Sequence, residues 1–381
     1  TTLAPYALIS RTFRDDKQHF FILHEGPIGV FNESLEEISY ESLREDGRIR
    51  MRDVQGWLGI TDKYWLASIV PAHDTSFQAN MRYQDVADGA GRYQVDMMVA
   101  PMNLNSGGRI EHQVRLFAGA KKVKLLDQYA DDYNIPLFDR AVDCGVLYFL
   151  TKPFFLALHF FNELTGNFGV AILLFTVCVR LVLFPMANKS FAAMHQMKLL
   201  MPKIEEIRKR HQGDTVRMNQ EIMSLYRNEQ VNPMSGCLPL LLQLPIFFAL
   251  YKVLFVTIEM RHAPFFGWIQ DLSAPDPLNV FTLFGLLDWG APSFLQIGIW
   301  PLLMCASMVI QQKLNPTPTD PVQAKVLAWL PYIFLFLFAT FPAGLVIYWT
   351  WNNVLSILQQ WVITRKHKAP QPKKGEASGG G

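Results

Sequence analysis

The sequence predicts a mixed fold, an antiparallel β-sandwich followed by an α-helical membrane bundle of five core spans with a cytoplasmic helical hairpin. Three observations predict it. Half of the 381 residues are hydrophobic, which exceeds ordinary soluble composition, and the excess lies almost wholly in the second part of the chain. Residues 1–137 instead alternate polar and apolar with period two. Runs such as Phe168 to Pro185 and Leu238 to Ile258 are nearly free of charge and match the roughly 20 helical residues that cross a hydrocarbon core of about 30 Å.

In the first part, 92–97 and 109–116 read as two half-buried strands. Asn105-Ser106-Gly107-Gly108 offers residues tolerant of positive φ between them, which predicts that the two strands pair as a hairpin. Phe20 to Phe31, broken at Gly26-Pro27, and Tyr64 to Val70 are further strands. Nothing here resembles a catalytic constellation.

Residues 138–166 form one amphipathic segment. Thr151, Lys152, His159, Asn162 and Glu163 share an arc of about 120° on a helical wheel, and Phe154, Phe155, Leu158, Phe160 and Phe161 fill most of the rest. That pattern fits a helix lying in the membrane interface; a first, poor span is the competing reading. Residues 167–363 then hold five spans, near 168–187, 237–258, 294–312, 325–341 and 344–363. Between the first two, residues 189–230 read as an antiparallel helical hairpin. Met194, Met197, Met201 and Ile204 recur at helical spacing, as do Met218, Ile222 and Leu225, with Gln212-Gly213-Asp214 as the reversal. Two uses suit these methionines, packing within the hairpin or adaptable binding of apolar helices.

Charge orients the bundle. Residues 188–236 carry eight Lys/Arg and the basic tail 364–381 carries five, whereas 259–293 carries one, Arg261. By the positive-inside rule the hairpin and tail are cytoplasmic and 259–293 is outside. An odd number of spans places the β-domain outside as well. The chain opens on Thr1-Thr2-Leu3-Ala4 with no signal-like run, so an exporting segment upstream is expected. The net charge of +2 gives no reason to expect nucleic acid. The cysteines, Cys144, Cys178, Cys237 and Cys305, show no metal-ligand spacing. No cofactor and no metal are expected. Nor is an enzyme, since no His-Glu-x-x-His, membrane Asp pair or Ser-His arrangement is present.

Arg180 is the costly residue. A guanidinium well inside an apolar helix costs about 2.5 to 3.5 kcal/mol on insertion scales. Lys189 lies nine residues on, about 13 Å along the helix, so Arg180 belongs in the cytoplasmic half of the hydrocarbon, and snorkelling to the headgroups is one reading. The other is a shared hydrated cavity. Thr176 shares the face of Arg180; Tyr348, Asn352, Ser356 and Gln359 line one face of the last span; Ser307 and Gln311 do so in the third, and Gln243 sits between Pro239 and Pro245 in the second. No carboxylate from Asn167 onward lies within a span, so the charge is free to attract a polar or acidic segment.

The residues that carry a resemblance run in order through the chain. They are Gly166-Asn167-Phe168-Gly169, Thr176 to Leu181, Phe184-Pro185, Met201-Pro202-Lys203-Ile204, Val231 to Pro239, Gln243 to Phe247 and Phe341 to Tyr348. In these the chain resembles the bacterial YidC branch of the YidC/Oxa/Alb insertase family. Gly56-Trp57-Leu58-Gly59 and Tyr64-Trp65 are similar to that family's periplasmic β-supersandwich. The resemblance implies a membrane-protein insertase and chaperone that moves nascent transmembrane segments from the cytoplasm into the bacterial inner membrane, alone or with the Sec translocon. Nascent membrane proteins, the ribosome and the lipid bilayer are the implied partners. It makes Arg180 the charge of a hydrophilic groove and the hairpin a required cytoplasmic element. Thr176, Leu244, Phe247, Leu337, Thr340 and Trp349 are the implied substrate contacts, with Trp349 where a tyrosine is usual and Thr340 where a tryptophan can occur. Two other classes fit parts of the pattern, a solute transporter or channel and a membrane-anchored periplasmic binding module. The absence of an internal repeat speaks against the transporter.

Overall fold

A computed structural model describes residues 2–13, 23–86, 89–143, 145, 147–211, 213–231, 238–287, 292, 296–315 and 321–366. Gln212 of the expected reversal, the 232–237 stretch of the Val231 to Pro239 run, Cys144 and the tail beyond Lys366 lie outside the described residues. The chain forms two compact units, residues 1–152 with 252–261, and residues 153–251 with 262–381.

The first unit is built from β1 (Thr2–Leu3), β2 (Tyr6–Phe13), β3 (Gly26–Phe31), β4 (Ser34–Glu37), β5 (Arg48–Val54), β6 (Gly56–Thr61), β7 (Trp65–Pro71), β8 (Phe77–Asp85), β9 (Gly91–Val99), β10 (Met102–Asn103) and β11 (Val114–Ala120), with helices α1 (Tyr40–Asp46) and α2 (Val123–Asp132). A five-stranded sheet, β11-β7-β6-β3-β4, faces a four-stranded one, β2-β9-β8-β5. The described pairings are antiparallel. The period-two pattern explains the core directly. Tyr93, Val95, Met97 and Val99 of β9 meet Leu58, Ile60 and Ile69 of the opposite sheet, while Arg92, Gln94 and Asp96 project the other way.

The outer side of the five-stranded sheet is covered as well. Trp57 is fully buried; its indole N–H donates to Pro136 O at 2.9 Å, and its ring meets Phe138 edge-on at 5.2 Å. The Gly56-Trp57 motif has a steric cause. Gly56 has φ +131°, and a Cβ there would stand 1.9 Å from Val30 O, so only glycine lets β6 pass β3 this closely.

The expected hairpin of 92–97 with 109–116 is not formed. β9 pairs with β2 and β8, whereas β11 pairs with β7 in the other sheet. The turn itself closes, Gly108 N donating to Asn105 O at 3.0 Å, but it belongs to a crossing between sheets. Gly26-Pro27, expected as a break, opens β3 instead.

Residues 252–261 belong to the β unit through buried contacts. Lys252 Nζ lies 2.7 Å from Asp143, with 13% and 10% of the two side chains exposed. Glu259 accepts from Val123 N at 3.2 Å, near the start of α2, and Lys63 Nζ sits 3.4 Å from the centre of the Phe255 ring.

The second unit is helical: α3 (Tyr148–Thr165), which starts in the first unit, then α4 (Phe168–Arg210), α5 (Thr215–Asn228), α6 (Leu238–Val256), whose last turn belongs to the first unit, α7 (Ile299–Leu314), α8 (Pro321–Phe338) and α9 (Ala343–Lys366). The first expected span and the first arm of the hairpin are one 43-residue helix, about 65 Å long. Among the described residues α4 is the helix long and apolar enough to cross a membrane; Leu241–Val256 and Val322–Phe338 are apolar but shorter. Asn167 caps α4, its Oδ1 accepting from Val170 N at 3.1 Å. Two residues on, a Cβ at Gly169 would stand 1.9 Å from the Phe265 ring.

Two outcomes follow from this packing. Asp143→Ala removes the carboxylate that pairs with Lys252 and accepts from His24 N and Gly145 N, and is expected to cost about 3 to 5 kcal/mol. Thermal unfolding in detergent reads this, and adding Lys252→Met should restore the part due to the ion pair but not the part due to the two backbone N–H groups. Burial of Tyr40 pushes its phenol from 10.0 up to about 12. Its contribution to stability is therefore complete below about pH 10 and erodes as pH rises toward 12, because the unfolded chain ionises first. Urea unfolding at pH 9 and pH 11 should show this difference, and Tyr40→Phe should shrink it.

Candidate functional site

Arg180 lies on α4, and its guanidinium turns to α9 rather than along its own helix. Its Nε donates to Asn352 Oδ1 at 2.8 Å and Nη2 to Asn352 O at 2.9 Å. Nη2 also donates to Ser356 Oγ. All three acceptors are neutral, and among the described residues no carboxylate pairs with this arginine. Charge-to-neutral bonds of this kind offset part of the desolvation cost while leaving the positive charge uncancelled.

The polar face expected on α9 is thereby split between two partners. Asn352 and Ser356 serve Arg180. Tyr348, fully buried, accepts at its hydroxyl from Gln243 Nε2 of α6 at 2.5 Å. Thr176, one turn before Arg180, is 1% exposed, and its hydroxyl donates to Ile172 O at 2.6 Å. Gln359 is half-buried, and among the described residues its amide nitrogen has no hydrogen-bond partner.

Ser307 stands apart from the arginine. It faces a second stripe on α9 that pattern reading passed over. Asn353, 5% exposed, donates from Nδ2 to Ser307 Oγ at 2.9 Å, and the Ser307 hydroxyl in turn donates to Met304 O at 2.6 Å. Seven residues on, Gln360 Nε2 donates to Asn315 Oδ1 at 3.0 Å. Positions seven apart differ by only about 20° on a helix, whereas Asn352 and Asn353 differ by about 100°. The Asn-Asn doublet is therefore the sequence signal for two polar seams, one toward α4 and one toward α7. Gln311, one turn beyond Ser307, is half-buried on α7.

The remaining positions fall into two settings. Phe247 and Trp349 are buried at 8% and 7% exposure and meet edge-on, with ring centres 4.9 Å apart. Phe338 lies 5.4 Å and Phe334 6.0 Å from Trp349, and Phe341 lies 4.9 Å from Phe338, so these rings form one cluster. Leu244 and Leu337 are 39% and 38% exposed; Thr340 is exposed, its hydroxyl on Leu337 O at 3.1 Å.

In the hairpin, Met194, Met197, Ile204 and Ile222 join Phe191, Leu200, Ile207, Tyr226 and Val231 in one core, with Met201 and Met218 packed against it. Asp214 caps α5 by accepting from Arg217 N at 3.0 Å, and His211 and Arg210 both pair with Glu221 across the reversal.

The two seams have separable strengths. Asn352→Leu removes the side-chain acceptor of a charged donor, leaving Arg180 Nε unsatisfied, and should destabilise the protein more than Asn353→Leu, which breaks a neutral pair. A double-mutant cycle of Asn353→Leu with Ser307→Ala should give a coupling of about 1 kcal/mol, read by thermal unfolding in detergent.

The chain as a whole is similar to known proteins. Residues 160–371 match the family model of the 60Kd inner membrane protein, and residues 1–157 match that of the YidC periplasmic domain. The membrane protein insertase YidC of Rickettsia rickettsii (strain Sheila Smith) is 50% identical over 361 residues, covering 94% of this chain and 64% of the relative. That of Rickettsia bellii (strain OSU 85-389) is 50% identical over 364 residues, covering 95% and 65%. The chain thus spans just under two thirds of these relatives. A crystal structure of an active YidC insertase with its first transmembrane domain resolved is 20% identical, with a TM-score of 0.43, covering 88% of this chain and 82% of that one. With more than half of its length matched by one family model, the chain belongs to the 60Kd inner membrane protein family.

Proposed function

We propose that this protein inserts apolar segments of nascent membrane proteins into the lipid bilayer of a bacterial inner membrane, with Arg180 as the cationic centre of a groove open to the cytoplasm. The single observation that carries the reading is the arginine's set of partners, a guanidinium inside an apolar helix bound, among the described residues, by neutral oxygens of α9. A charge so placed attracts the polar or acidic flank of an incoming segment at low dielectric. Burial of the segment's apolar part then drives the transfer, at about 0.3 to 0.6 kcal/mol for each Leu, Ile, Phe or Val. No covalent bond is made or broken.

Each group of site residues has a place in this reading. Thr176, Gln243, Ser307, Gln311, Tyr348, Asn352 and Ser356 set the polar lining and its supports. Leu244, Leu337 and Thr340, which are partly exposed, are the substrate contacts open to an incoming chain, and the cluster around Phe247 and Trp349 closes the groove toward the outer face. The hairpin of α4 and α5 stands in the cytoplasm with the basic tail, where the ribosome delivers the substrate, with or without the Sec translocon. The β unit lies in the periplasm, and α3 lies along the outer interface. Its exposed Phe149, Leu156, Phe160 and Leu164 fall within about 80° of one helix face, as a helix resting on lipid requires. The names of the relatives and the Lys/Arg asymmetry support this arrangement.

The test is insertion of a short-tailed single-span substrate into vesicles carrying the purified protein. Arg180→Ala is expected to lower insertion about tenfold, equivalent to about 1.4 kcal/mol. Arg180→Lys should retain most activity if charge alone matters and lose it if the fork geometry toward Asn352 does. Unimpaired insertion by both variants would remove the charge from the mechanism.

A further inference from the structure

The segment from Leu278 to Leu287 contains no ionisable side chain, yet its large apolar residues point outward. Phe281, Leu283, Phe284, Leu286 and Leu287 are 47, 51, 53, 83 and 48% exposed. Five such side chains within seven residues are a concentration of exposed apolar surface rather than a scatter.

The segment is also built. Asn279 Oδ1 accepts from Phe281 N at 2.9 Å. Asn279 O accepts from the Thr282 hydroxyl and from Phe284 N, both at 3.0 Å, and Thr282 O accepts from Leu287 N at 2.9 Å. Leu283 and Phe284 hold left-handed backbone, with φ of 48° and 62°. That conformation is disfavoured for bulky side chains. The chain therefore accepts backbone strain in a configuration that exposes Leu and Phe, which water does not reward.

Its location identifies what does. Val280 N donates to Ile297 O at 3.1 Å, tying the segment to the residues just before α7. Asp276 secures the same end, accepting from Trp300 N at 2.9 Å and from the Trp268 indole at 3.0 Å. α7 has 16 residues, about 24 Å of helix, short of a hydrocarbon core of roughly 30 Å. An apolar, charge-free segment fixed at the N-terminal end of a short helix fits that deficit.

We propose that Phe281–Leu287 is a wedge embedded in the outer leaflet at the head of α7, and that its partner is lipid acyl chain. It completes the apolar belt where α7 alone does not reach, and Trp268, hydrogen-bonded to Asp276, marks the headgroup level above it. The inference rests on the membrane orientation given under the proposed function.

The test uses the full chain with its four cysteines changed to serine and one reporter cysteine carrying an environment-sensitive NBD dye. Reporters are Phe284→Cys, Leu286→Cys as a second variant, Leu181→Cys on the exposed face of α4 and Gln270→Cys in the exposed loop. Each is reconstituted in phosphatidylcholine/phosphatidylglycerol vesicles with spin labels on the acyl chains, and with iodide on both sides. At positions 284 and 286 the acyl spin labels are expected to quench severalfold more strongly, and iodide severalfold less, than at 270. Iodide quenching equal to that at 270, with 181 still quenched by acyl labels, overturns the wedge and leaves the membrane reading standing. Absence of acyl quenching at 181 overturns both. Protection from iodide without acyl quenching also overturns the wedge. It assigns the surface to a second copy if dilution in lipid abolishes it, and to contact within the chain if it does not.

Discussion

A positive charge in an apolar helix has to be satisfied by whatever its neighbours present, and here α9 presents amide, carbonyl and hydroxyl oxygens. The bond set of Arg180 to Asn352 and Ser356 joins residues 172 and 176 positions apart, so it fixes which face of α9 meets α4. Everything else on α9 follows from that rotation. With Asn352 turned to the arginine, Asn353 must point about 100° away, where α7 supplies Ser307. Tyr348, one turn before Asn352, comes to Gln243 of α6. In an environment that offers little water to unpaired groups, each of these bonds excludes alternative rotations of the helix.

Neutral acceptors have a consequence that a carboxylate would not. An Asp or Glu in place of Asn352 would cancel the charge and close the site electrostatically; an amide satisfies the donors and leaves the field intact. The aromatic cluster of Phe247, Phe334, Phe338 and Trp349 does complementary work. Rings in edge-on contact fill volume densely and exclude water, so the polar and dry regions of the helical unit are separated by side chains of α9 itself, Trp349 being the immediate neighbour of Tyr348.

Much of this is legible in local sequence pattern, and what is not has identifiable physical reasons. The apolar helices near 238–256, 321–338 and 343–366 lie close to the expected ranges, because a charge-free run of this length has few alternatives to helix. The methionine spacing in 194–204 anticipated the hairpin core, since residues three and four apart share a helix face. The strands at 92–97 and 109–116 were legible as strands, but their pairing was not. Period two reports that one face is buried and says nothing about which strand lies alongside, and both found partners in different sheets. Asn353 lies off the face that Tyr348 and Asn352 define on a helical wheel, so its seam is not legible from that stripe alone.

By itself the sequence determined the division into a β part and a helical part, the isolation of Arg180 from any membrane carboxylate, and the ordered motifs by which the family is recognised. These depend on composition and local periodicity, which are properties of the chain alone. Only the tertiary structure decided that Arg180 is bound by Asn352 and Ser356, that Ser307 belongs to a separate seam, that Lys252 is neutralised by Asp143, and that Phe281 to Leu287 face outward on strained backbone. Each is a contact or an exposure set between residues far apart in sequence or by left-handed backbone. Hydrogen-bond reach of about 3 Å is satisfied by the packing of whole elements, which no local pattern encodes.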